Sequence, residues 1–187
     1  MLRVLMTSLI AAQLVVPVGA EELVLPVEDW AAIGNGSGET RVLLHVDELP
    51  EGDRLALMHA ELRLPVVGAA VSRVYDLRAY PLTRSWSAGS VDWEEDWEQP
   101  GGDYREDLFG RCQLDLSRGA QEIVFDVRPA VLAMMDGEFV ENGFLLTVAR
   151  QDGEGIQSED LSRLEETASG TLTLRFRRVG RKPPLGN

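Results

Sequence analysis

The chain has 187 residues, 31 acidic against 18 basic side chains, a formal net charge of −13 and one cysteine. A surface that negative repels polyanions, which argues against nucleic acid, acidic lipid surfaces and strongly anionic polymers as partners. One cysteine excludes an intrachain disulfide, so a stable exported fold must rest on packing or on a bound ion.

Residues 1–20 read as a secretory leader. Arg3 gives the positive start, Val4 to Val16 the apolar stretch, Pro17 the break, and Val18-Gly19-Ala20 the small-residue site before Glu21. The apolar run is shorter than the ~20 residues a membrane span needs, and Glu21 stands where a lipid-anchored terminus would carry cysteine. The expected product is periplasmic or secreted, with no membrane span in the mature chain. One domain is expected over 21–180, followed by a loose basic, proline-containing tail over 181–187.

From there the dominant periodicity is two, a strand signal. Arg41 to Val46 is a compact apolar run. Ala56 to Leu64 sets Leu57, His59, Glu61 and Arg63 against Met58, Ala60, Leu62 and Leu64, and Val71 to Ala79 puts Val71, Tyr75, Leu77 and Ala79 on one side. Turn chemistry bounds each run: Pro50-Glu51-Gly52-Asp53, the Pro65 to Ala70 stretch, and Tyr80-Pro81. Further strands are expected over Glu122 to Val127, Gly143 to Arg150 and Thr171 to Val179, the last with Leu172, Leu174 and Phe176 facing one way. Pro129 before Ala130 to Asp136, with Gly137 after it, reads as a helix of about two turns, and Leu161 to Glu166 as one more. Many short strands with little helix imply an all-β fold. Its expected form is an antiparallel two-sheet β-sandwich, jelly-roll-like, with one or two short helices.

Little in the chain carries chemistry. His45 and His59 both fall in strands, with neither an HExxH pair nor paired cysteines for zinc. Ser37, in Asn35-Gly36-Ser37-Gly38, lacks the first glycine of a nucleophile elbow and no helix follows it. Cys112 has no flanking base. Arg175, Arg177, Arg178, Arg181 and Lys182 read as a strand rim and a tail. The acids from Asp92 to Glu98 could supply a glycosidase pair by number alone, but nothing marks two of them as buried at catalytic separation. Asp92 to Glu98 and Asp152 to Asp160 are candidate loops for a structural calcium ion, though neither has EF-hand spacing.

The densest stretch is Ser85 to Tyr104, SWSAGSVDWEEDWEQPGGDY, which holds three of the four tryptophans among acids and glycines. Aromatic faces beside acids and amides suit sugar rings. Trp86 and Trp93 are expected in the core. Trp97 and Tyr104, with Asp103 and Gln99, are expected as exposed ligand-binding residues, while Trp30 is a further loop aromatic.

Arg41 to Gly52 (RVLLHVDELPEG) followed by Ala60-Glu61-Leu62-Arg63-Leu64 resembles the opening of the DNRLRE (disaggregatase-related) domain family. Ser85-Trp86 to Asp92-Trp93, Phe125-Asp126-Val127, Glu141 to Leu146 and Ser158-Glu159 are similar to later elements of that family, in the same order. The DNRLRE signature itself is absent, and Asp92 replaces the usual threonine. The resemblance spans about Thr40 to Val179. It implies a secreted jelly-roll-like module without catalytic residues, some relatives of which bind polysaccharide. The acidic balance points to a neutral or calcium-bridged glycan. The leading expectation is therefore a non-catalytic module that binds carbohydrate or cell-surface polymer; the alternative is a structural or adhesive envelope protein without a small ligand.

Overall fold

A computed structural model describes residues 20–46, 48–50, 55–66, 73–94, 97–148 and 170–178. Within them the chain is mostly β. The strands are β1 (Ala20–Gly34), β2 (Thr40–Val46), β3 (Leu55–Val66), β4 (Val74–Pro81), β5 (Gly110–Asp115), β6 (Gln121–Asp126), β7 (Phe144–Val148) and β8 (Thr171–Arg178), with one helix, α1 (Arg128–Met135), between β6 and β7. Of the expected leader only Ala20 is described, as the first residue of β1; the tail, the helical turn at 161–166 and the acidic loop at 152–160 lie outside the described residues. No helix among those described is long and apolar enough to cross a membrane.

All the strand pairs are antiparallel, and they join in one sheet in the order β5-β4-β7-β2-β1-β8-β3-β6. β1 holds this order together. Its first half pairs with β8 from Ala20↔Arg177 to Pro26↔Thr171, and its second half with β2 from Val27↔Val46 to Gly34↔Thr40. The hand-over falls at Pro26, where the chain has no N–H to give to a ladder, and at a register shift between Val27 and Asp29. The terminal strands β5 and β6 lie against each other, so the sheet curls until it is nearly closed into a barrel. Gly110 permits that approach: a Cβ there would stand 2.8 Å from the Asp126 carbonyl oxygen and 2.9 Å from the Phe125 Cβ.

Burial follows from the curl. The inner face carries the main core, with Val42, Leu44, Leu62, Leu77, Phe125, Phe144, Leu146, Leu172 and Leu174 among its members. The strands β2, β7 and β4 are also covered on the outer face, where Leu43, Leu145, Tyr80 and Leu82 pack with Ile33 and Trp97. The ladder registers set Ala31, Leu43, Leu145 and Tyr80 opposite one another on that face, and Ala32, Val42, Leu146 and Ala79 on the inner one. This is why β2 and β7 read as unbroken apolar runs, Val42-Leu43-Leu44 and Phe144-Leu145-Leu146: a strand covered on both sides has no polar face to alternate. β8 has one wet face, with Leu172, Leu174 and Phe176 buried and Arg175 and Arg177 exposed.

Two strands escape the sequence reading. β1 breaks its own alternation at Pro26 and at the register shift, and β5 offers only Gly110, Cys112 and Leu114 on its inner side. In β3 the expected alternation fails at its start. A register shift between Leu57 and His59 turns Leu57 inward and leaves Met58 43% exposed, and from Ala60 onward the expected inner set of Ala60, Leu62 and Leu64 holds. Helix α1 forms where expected. Pro129 sits in its first turn, Ala130, Val131, Ala133 and Met134 are buried on the inner core, and Gly137 follows at φ +74° with its N–H on the Met134 carbonyl. Arg128 ties this end to β3 by donating from Nε to the Leu57 carbonyl at 3.2 Å.

Double coverage makes a direct prediction for adjacent residues. Leu145 and Leu146 point into opposite cores, and both are essentially inaccessible. Leu145→Ala and Leu146→Ala are each expected to lower the urea-unfolding free energy by about 2–5 kcal/mol. A strand with one solvated face would show that cost at only one of the two.

Candidate functional site

The outer cover is the connection from β4 to β5, residues 82–109, and its neck is closed by backbone pairing. Leu82 and Tyr104 form an isolated antiparallel bridge, the Thr83 N–H donates to the Asp103 carbonyl at 2.9 Å, and the Arg105 N–H to the Pro81 carbonyl at 3.1 Å. Within the loop, Ser87 accepts from the Ser90 and Val91 amides, and the Trp93 carbonyl accepts from Gly101 at 2.7 Å. The Asp103 carboxylate receives the Glu98 and Gln99 amides at 2.9 and 3.0 Å, organising the turn that carries Gln99.

Three side chains fasten this loop to the sheet. Trp97 is only 6% exposed in the outer cluster, and its Nε1 donates to the Asp92 carbonyl at 2.8 Å. Trp86 reaches the other way, its Nε1 donating to the Asn142 carbonyl at 3.0 Å. Arg41, rising from β2, donates from Nη1 to the Gly101 carbonyl at 2.7 Å and pairs with Glu39 at 2.9 Å. Its guanidinium lies 4.8 Å from the Trp93 ring centroid and 5.7 Å from that of Tyr104. Gly101, at φ +89°, must be glycine here, because a Cβ would stand 2.7 Å from the Trp93 ring and 2.9 Å from Arg41 Nη1.

These positions correct the expected exposures. Trp97 is an anchor beneath the loop, since the outer face of β4, β7 and β2 needs a large apolar lid and this ring supplies it. Trp86 and Trp93, expected in the core, are half-buried at the margin of the outer cluster, and Trp30, expected in a loop, lies in β1 opposite Leu44, half-buried against the inner core. Tyr104 is also half-buried, its ring 4.7 Å from that of Tyr80. His45 is half-buried, His59 exposed, and Cys112 half-buried with Sγ 3.6 Å from the Gln113 carbonyl.

A groove of about 510 Å³ opens beside the neck, and Gln99, Asp103 and Tyr104 line it together. Thus three of the four residues expected to bind share one concavity, and Trp97 does not line it. Gly102 and the side chains of Arg84, Glu98, Glu106 and Thr83 complete the walls. No local pattern marks those four: the closed neck brings residues 83–84 and 104–106 side by side. Arg84 stands 3.7 Å from Asp103, so the groove has one cation among three carboxylates. Burial raises the Tyr104 phenol above its ordinary value of 10.0, and the nearby Arg41 opposes that shift. No group of three or more His, Cys, Asp or Glu side chains is arranged to hold a metal ion among the described residues. Residues 95 and 96 of the candidate calcium loop lie outside them. What the groove offers is a phenol, an amide, a hydroxyl and charged hydrogen-bonding groups around a polar hollow.

No family model matches this chain, and no curated protein matches it.

Two outcomes follow from this geometry. Arg41→Met removes the ion pair with Glu39, the donor to the Gly101 carbonyl and the cation beside the Trp93 ring together, at an expected cost of about 3 kcal/mol in urea unfolding. Tryptophan emission should shift to the red as Trp93 loses its cover. Because the Tyr104 phenol keeps its proton to higher pH in the folded than in the unfolded chain, its contribution to stability is complete below about pH 10 and is lost as pH rises through the raised value. Unfolding midpoints across the alkaline range should fall, and Tyr104→Phe should remove part of that fall.

Proposed function

We propose that this chain is an exported, non-catalytic β module of the disaggregatase-related kind, and that it holds a neutral polysaccharide in the groove lined by Gln99, Asp103 and Tyr104. The observation that carries the reading is the convergence of an aromatic ring, an amide and an acid on one hollow. A ring face flanked by such groups suits the alternating C–H and hydroxyl surfaces of a sugar. The loop is fastened by Trp97, Trp86 and Arg41, so little ordering would be required of it on binding.

The curled sheet is consistent with a jelly-roll-like sandwich if β1-β8-β3-β6 and β1-β2-β7-β4-β5 are taken as two facing halves joined through β1. Export rests on Arg3, the apolar stretch from Val4 to Val16 and the small residues ending at Ala20. No catalytic step is assigned, because the Asp103 carboxylate is already committed to the Glu98 and Gln99 amides.

Affinity electrophoresis of the 21–187 chain in gels cast with neutral glycans tests the proposal. Retardation is expected, lost in Tyr104→Ala and weakened about tenfold in Gln99→Ala, the worth of one or two hydrogen bonds. Trp97→Ala should lose retardation together with thermal stability, whereas Tyr104→Ala should lose it with a smaller change in melting temperature. Migration unaffected by every neutral and acidic glycan, with and without calcium, would leave the structural envelope role in its place.

A further inference from the structure

We propose that the outer face of β4 and β5 carries a carboxylate-recognition site built on Arg78, with Phe109 as the platform for the apolar group that bears the carboxylate. Arg78 stands directly opposite Arg111 in the β4–β5 ladder and opposite Thr147 of β7. Side chains so paired leave the sheet about 5 Å apart, and like charges there repel unless an anion joins them.

One anion is present and serves one of the two arginines. Asp76 takes Nε and Nη2 of Arg111 at 2.8 and 2.7 Å, a bidentate pair. Arg78 has no carboxylate partner among the described residues. Its Nη1 donates to the Tyr80 hydroxyl at 3.0 Å, its Nε is buried without an acceptor, and its Nη2 has no acceptor among the described residues. In a chain with 31 acidic and 18 basic side chains, a half-buried guanidinium without an acid is a costly arrangement.

The Arg78 fork is also held in place. It lies 4.9 Å from the centroid of the Phe109 ring, which is 40% exposed and itself 5.5 Å from the Tyr80 ring. A guanidinium stacked on a ring keeps its donors in the ring-parallel plane, where a planar carboxylate can meet them. Besides the buried Arg78 Nε, the donors that Asp76 leaves unused are Arg78 Nη2 and Arg111 Nη1. The net charge of the chain does not forbid a single carboxylate here, because ions screen distant charges beyond about 8 Å at physiological salt and the two nearby arginines set the local field. The ligand class is thus a carboxylate borne on an aromatic or apolar group, whether a free small acid or the C-terminal residue of a peptide. Tyr80 separates this patch from the groove, its ring meeting Tyr104 on one side and Phe109 on the other.

Calorimetric and NMR titration of the purified protein at neutral pH would use phenylacetate, its amide, and a short peptide ending in phenylalanine as free acid and as C-terminal amide. The acids should bind and the amides should not. Arg78→Met should weaken binding about tenfold, the worth of one charge-assisted hydrogen bond. Arg78→Lys should weaken it also, since the fork is lost although the charge remains. Phe109→Ala, at a position already exposed, keeps the fold testable and should weaken binding about threefold, the scale of one aromatic contact. Tighter binding of the peptide assigns a chain terminus as the source, and tighter binding of phenylacetate a small acid. Equal binding of acid and amide, wild-type affinity in Arg78→Met with its fold intact, or no binding of either acid would overturn the proposal.

Discussion

Coverage of β2, β7 and β4 on both faces is the constraint from which the rest of the molecule follows. A sheet whose central strands are apolar on each side cannot end as a curled layer facing water, because Leu43, Leu145, Tyr80 and Leu82 would stand exposed together. The 82–109 connection answers that demand. Its length and its aromatic content come from having to lie across a sheet face. Two of the three tryptophans that made this stretch conspicuous, Trp97 and Trp86, are accordingly fasteners of that cover.

Where packing alternates simply, or turn residues bound an apolar run as they do for β2, the order was legible in the residues. β8, β6, β2 and the helix behind Pro129 announce themselves because each has either one wet face or a turn residue at each end. β1 was hidden for a definite reason: it serves two partners, and at the change-over Pro26 and a shifted register interrupt the period on which recognition depends. β5 was hidden because the neighbouring β6 demands a glycine at Gly110, which removes the side chain that would have completed the pattern. In β3 the displaced register swaps the roles of Leu57 and Met58, a difference the sequence does not record.

The site was legible by composition and not by geometry. Gln99, Asp103 and Tyr104 could be picked out because a polar, glycine-punctuated turn with a ring must lie near the surface. Trp97, only two residues before Gln99, could not be assigned to the other side of the same loop, since its burial depends on the distant Leu43 and Leu145. Arg84 and Glu106 enter through the neck between Leu82 and Tyr104, a contact of high sequence separation with no local signature. Arg41 is the clearest case. Noted in the sequence only as the first residue of an apolar run, it proves to be the post around which Glu39, Gly101, Trp93 and Tyr104 gather.

The meeting of β5 and β6 has a mechanical corollary. No ladder joins these two strands among the described residues, whereas every other neighbouring pair is stitched by backbone hydrogen bonds. Thermal breathing should therefore concentrate along that line, as in a cylinder slit down one side, and water should first reach the interior beside Gly110 and Phe125. Pulling the chain apart from its two ends would not shear β1 along β8 but peel the two strands apart pair by pair from Ala20↔Arg177, because both ends leave this antiparallel ladder on the same side.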